Sequence, residues 1–175
     1  MKQKYDKIHS IRKKIEDINW IKDRIDIFYN RYPIFKNSKC KIEYISKSSS
    51  EDKYKLGEYR CDEFDNKKIY IFLDNISDHL SNRFIWEDYK DIIKEIRKIV
   101  LHEYRHYLQI EKLYELNILY TIPDCYQYKW IIDLLEEDAN NYAKHYLDYK
   151  EELDLNSLIT KIVVEDKVNL KISKY

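Results

Sequence analysis

Residues 102 to 106 read His-Glu-Tyr-Arg-His. On an α-helix, positions four apart lie only ~40° from one another around the axis, so the two imidazoles point the same way. Two neutral nitrogen donors at that spacing can share one zinc ion. Glu103 is rotated to the side, where its carboxylate reaches a water on the metal without becoming a ligand. Zinc lowers the pKa of such a water to about 7, and the carboxylate takes its proton as it attacks a carbonyl. Only five histidines occur in the chain, so two of them bracketing a glutamate at this spacing are not a product of composition.

A catalytic zinc site needs a third protein ligand and an open position. The candidate lies in the run Leu134-Leu135-Glu136-Glu137-Asp138-Ala139-Asn140-Asn141-Tyr142-Ala143. If this run is helical, Ala139, Asn140 and Ala143 share a face with Glu136. Two alanines there permit close approach to the His-bearing helix. Glu137 points about a quarter turn away, which favours Glu136 as the ligand. Asn140, one turn on, is placed to hold a ligand histidine by its second nitrogen, as ligand histidines require.

These groups need rigid elements to carry them. From Asp88 to Leu116 the helical period is clear: Ile92, Ile93, Ile96, Ile99, Val100, Tyr107 and Ile110 form one stripe, with Lys94, Arg97, Lys98 and Arg105 expected on the other side. A further helix is predicted from Tyr128 to Leu153, after the interruption at Pro123. Residues 5–32 read as an amphipathic helix, or two with a break near Asn19, ended by Pro33. Between Cys40 and Asn75, KIEYIS, KLGEYRCDEF and KKIYIFLDN look like three strands, with a hairpin turn at Asp65-Asn66. The last segment, VVEDKVNLKIS, is compatible with a strand, a hairpin or a tail. Segregated strands and helices give an α+β class, divided into a helical segment 1–36 and a domain 37–175.

Composition narrows the partners. The 32 basic and 32 acidic residues cancel, so no net field steers nucleic acid or an anionic membrane toward the chain. No signal peptide or membrane-spanning run is legible, and the three cysteines form no CxxC pair, which together imply a cytoplasmic protein.

HExxH followed by a glutamate in an E-x-x-A-N-x-x-A setting resembles the gluzincin peptidases, and most of all the ImmA/IrrE-type metallopeptidases and the minigluzincins. The resemblance covers roughly residues 55–147, and Glu136 follows His106 by 30 positions, a separation that suits this group. It implies a zincin-like fold: a small mixed sheet of about three or more strands packed on the HExxH helix and a glutamate-bearing helix. It also implies one zinc per chain on His102, His106 and Glu136, Glu103 as general base, and Asn140 behind the ligands. An edge strand above the metal is implied too, assigned to Ile69, Tyr70, Ile71, Phe72, Leu73 and Asp74, along which an extended protein or peptide substrate would lie. The activity implied is peptide-bond hydrolysis, in a regulatory protease with few targets. The alternative is a non-enzymatic zincin-like module binding a protein partner through the N-terminal helix; an intact Glu103 argues against it.

Other residues carry less. Tyr120, Tyr126 and Tyr142 are the tyrosines nearest the site that could donate to an oxyanion. His79 reads as a loop residue before the active helix. His9 reads as solvated, and His145 as facing away from Glu136.

Overall fold

The computed structural model describes residues 2–36, 38–46, 54–61, 66–83, 88–116, 118 and 129–172. The chain divides into two compact units, Met1–Tyr104 and Arg105–Tyr175. The division falls inside one continuous helix.

The first unit opens with helices α1 (Lys2–Ile15) and α2 (Ile18–Arg31). The break between them comes earlier than Asn19, because Asp17 is the cap: its side chain accepts from the Trp20 amide at 3.2 Å. Ile11, Ile15, Ile21, Ile25 and Phe28 are buried along the inner face. Pro33 ends α2 through the residue before it. Tyr32 is already extended, as residues before proline tend to be, and Pro33 opens the short helix α3 (Pro33–Lys36).

Strands β1 (Lys41–Ile45), β2 (Gly57–Cys61) and β3 (Lys67–Phe72) form a mixed sheet in the order β1-β3-β2. β1 runs parallel to β3, with Ile42 opposite Ile69, and β2 runs antiparallel to it, with Tyr59 opposite Ile69. The segment expected as the edge strand is therefore the central one. Ile69, Tyr70, Ile71 and Phe72 have both backbone edges engaged within the sheet and cannot take up an extra strand. Leu73 and Asp74 are not strand at all. They begin helix α4 (Leu73–Asn82), whose Leu73, Ile76 and Leu80 are buried at helical spacing. Near-continuous apolar character reads equally as a buried strand or the start of a buried helix, and here one run is both. Of the expected hairpin turn, Asp65 lies outside the described residues. His79 sits in α4 rather than in a loop, where burial first, and then the Arg83 charge, hold its imidazole below the ordinary histidine value. α1 and α2 pack against α4.

Helix α5 (Tyr89–Glu115) follows. Ile92, Ile96, Ile99, Val100, Leu101 and Tyr104 are buried in the first unit. Tyr104 is tied there by its hydroxyl, which donates to the Ile34 carbonyl at 2.8 Å, and by an edge contact with Phe35.

The second unit comprises the rest of α5, helix α6 (Lys129–Tyr149) and helix α7 (Asn156–Ile172). Its core is Leu113, Ile131, Leu135, Leu158, Ile159 and Ile162. α6 stops short of Leu153 because Lys150 takes the left-handed conformation, φ 62°, and its N–H closes on the Tyr146 carbonyl at 2.9 Å. The C-terminal segment is a helix. It is none of the strand, hairpin or tail that its sequence is compatible with: Leu158, Ile159 and Ile162 share one helical face that packs into this core. Among the described residues no helix is long and apolar enough to cross a membrane. The class is α+β, mostly helical, with one small mixed sheet.

Candidate metal centre

His102 and His106 stand one turn apart on α5, each half-buried. Glu136 projects from the exposed side of α6. One donor atom from each of the three lies within 4.8 Å of the other two. Ligands about 2.0–2.1 Å from a tetrahedral zinc sit about 3.3–3.4 Å from one another. His106 Nε2 and Glu136 Oε1, at 3.3 Å, already have that separation. Two imidazoles and a carboxylate are also the donor chemistry zinc accepts at catalytic sites. The residues present fit the ion.

Glu137 turns elsewhere. It lines a cavity with Leu134, Asn141, Leu153, Ser157 and Lys161, all in the second unit. Ala139 and Ala143 are fully buried, as two small residues on the inward face of α6 should be.

Asn140 does not do what its position suggested. Its side chain is exposed, and its amide donates back to the carbonyl of Glu136 at 2.9 Å within its own helix. The group at the second nitrogen of His106 is Gln109, whose Oε1 lies 2.8 Å from Nδ1. Gln109 is fully buried, and its amide nitrogen donates to the Leu135 carbonyl at 2.9 Å and to Asp138 Oδ2 at 2.8 Å. Sequence reasoning missed Gln109. The available signal was its i+3 spacing from His106 on the same helix.

Arg105 was also misplaced. It is only 1 % exposed, not on a solvated face. A guanidinium taken this deep must be paired and hydrogen-bonded. Asp138 supplies the charge through contacts at 2.7 and 3.2 Å, and the carbonyls of Leu153 and Asp154 accept at 2.8 and 3.3 Å. Tyr142 lies beneath, its ring centroid 4.7 Å from the guanidinium carbon. A fully buried tyrosine in that role is not disposed to reach a substrate oxygen. Tyr120 and Tyr126 lie outside the described residues. His9 is exposed, and His145 makes a tilted ring contact with Tyr149 one turn along α6.

Glu103 is 7 % exposed and is not among the three clustered donors. Gly57, the only glycine of the chain, packs against it. A Cβ added at Gly57 would stand 2.5 Å from Glu103 Cγ and 2.9 Å from Oε1. Glycine is therefore needed on β2 for the absence of a side chain, since its φ is not positive. In an ordinary strand Gly→Ala stabilises by about 0.5–1 kcal/mol. Here the overlap reverses the sign. Gly57→Ala is expected to cost about 1–3 kcal/mol, the usual range for overpacking. In a Glu103→Ala background, where the obstructing atoms are gone, that cost should vanish. Thermal melts of the four proteins of this cycle measure it. An equal cost in both backgrounds would place the strain somewhere other than Glu103.

A family model described as "Protein of unknown function (DUF3920)" matches residues 75–152, a span that includes His102, Glu103, Arg105, His106, Gln109, Glu136 and Asp138. Comparison with curated proteins and with solved structures finds no match.

Proposed function

We propose that the protein is a zinc metallopeptidase with a zincin-like fold, holding one zinc on His102, His106 and Glu136 and using Glu103 as general base. One observation carries this reading. Three donors of the right chemistry converge within 4.8 Å, while the carboxylate between the two histidines in sequence stays outside the set. Bound zinc would supply a Lewis acid that polarises a carbonyl and makes water acidic enough to attack near neutral pH.

The remaining work falls to side chains of this chain. Glu103 takes the proton of the attacking water and delivers it to the leaving amine. Its burial against β2 restricts its rotamers, so the base is oriented before substrate arrives. Gln109 holds His106 in place, and Asp138 with Arg105 holds Gln109. An extended peptide would add to β2, an outer strand of the sheet, and so pass beside Glu103. This arrangement replaces the central strand β3 as the candidate docking edge.

The test is metal content followed by cleavage. Protein purified without added metal should carry close to one zinc per chain and should cut members of a broad peptide library. A chelator should abolish cleavage and zinc should restore it. A folded protein that retains no zinc after reconstitution would overturn the proposal. Full zinc occupancy with no cleavage of any peptide or candidate protein would favour the non-enzymatic binding module instead.

A further inference from the structure

We infer that Gln109 is the positioning residue that presents Nε2 of His106 to the metal, and that Asp138 and Arg105 set the direction in which Gln109 faces. The consequence for metal binding rests on the zinc reading above, while the orientation itself belongs to the metal-free protein.

The inference follows from what each group can and cannot donate. The Leu135 carbonyl only accepts. Both oxygens of Asp138 accept from the Arg105 guanidinium, so this group too offers only an acceptor to Gln109. Both meet the same end of the Gln109 side chain, so that end must be the NH2 group. At 0 % exposure, Gln109 has no water to satisfy it in the opposite orientation. Its oxygen is then the atom left to face His106 Nδ1, at 2.8 Å. An amide oxygen accepts and cannot donate, so Nδ1 must carry a proton. A neutral imidazole has one N–H, which leaves the lone pair on Nε2. Nε2 is the nitrogen that sits 3.3 Å from Glu136 Oε1. The free imidazole ring favours the other tautomer, so this choice is imposed by the protein.

The chain of contacts has a fixed far end. Arg105 is clamped by the carbonyls of Leu153 and Asp154 and by the Tyr142 ring. Asp138 cannot rotate away without leaving a buried guanidinium uncompensated. Residues from α5, α6 and the segment leading into α7 thus form one chain of contacts that ends, through Gln109, at one ring nitrogen.

The experiment uses full-length protein labelled with 15N at histidine. Nitrogen shifts and couplings locate the ring proton of His106 in the metal-free state, with the ring neutral. Wild type is expected to show the proton on Nδ1. Gln109→Met keeps the volume but removes the acceptor; it should move the proton largely to Nε2 and raise the zinc Kd by about 10–100-fold. If Gln109 only fills space, Met will change neither tautomer nor Kd, and the inference is overturned. It is equally overturned by a proton on Nε2 in metal-free wild type, a measurement that stands even if Gln109→Met fails to fold. A proton on Nδ1 that moves in Gln109→Met, with no zinc bound by any of the proteins, would sustain the orienting role and overturn the zinc reading.

Discussion

Glu103→Gln is expected to leave zinc occupancy and thermal stability nearly unchanged while lowering peptidase activity by a factor on the order of a hundred or more, the usual loss when a positioned general base is removed. The structure makes this substitution unusually clean. Glu103 is nearly buried and fits against Gly57 with no room to spare, so a side chain of the same shape is required. Gln meets that condition and removes only the ability to take a proton. Because Glu103 lies outside the clustered donors, the metal should be retained. Cleavage of the same peptides by zinc-loaded wild type and variant, with melts of both, is the measurement. Equal cleavage would show that Glu103 is not the base. Loss of zinc from the variant would show that Glu103 belongs to the ligand set, contrary to the geometry.

The second large effect separates two adjacent glutamates. Glu136→Ala is expected to weaken zinc binding by more than the 10–100-fold typical of losing a partner behind a ligand, because a three-ligand site loses one ligand outright. Glu137→Ala should leave affinity unchanged. Glu136 is 3.3 Å from His106 Nε2, whereas Glu137 faces a cavity lined by Asn141, Ser157 and Lys161. Both side chains are exposed on α6, and alanine is the best helix former, so neither variant should unfold the protein. Zinc titrations against a competing chelator will rank the two. Metal loss from Glu137→Ala with Glu136→Ala intact would reverse the assignment.

Some of this was readable before folding was considered. That His102 and His106 face the same way follows from the 3.6-residue period alone, as does the choice of Glu136 over Glu137 once a helix is granted. Strand β2 and its glycine, and the α+β class, were visible in the alternation of patterns. Helix α4 was hidden because Leu73 and Ile76 continue the apolar run of β3 without a break. The helical C-terminus was hidden because Val163 and Val164 are poor local indicators of helix, while packing of Leu158, Ile159 and Ile162 decides the matter.

What the chain determines by itself is local: which residues share a helix face, and that two imidazoles one turn apart point the same way. The tertiary structure alone decides which strand is central, since pairing order depends on contacts between segments far apart. It decides that the Asn140 amide turns back to its own helix, that Arg105 is buried on Asp138 across 33 positions, and that the one glycine faces Glu103. Donor and acceptor groups buried away from water must find partners wherever packing puts them, and sequence spacing carries no record of which distant groups arrive.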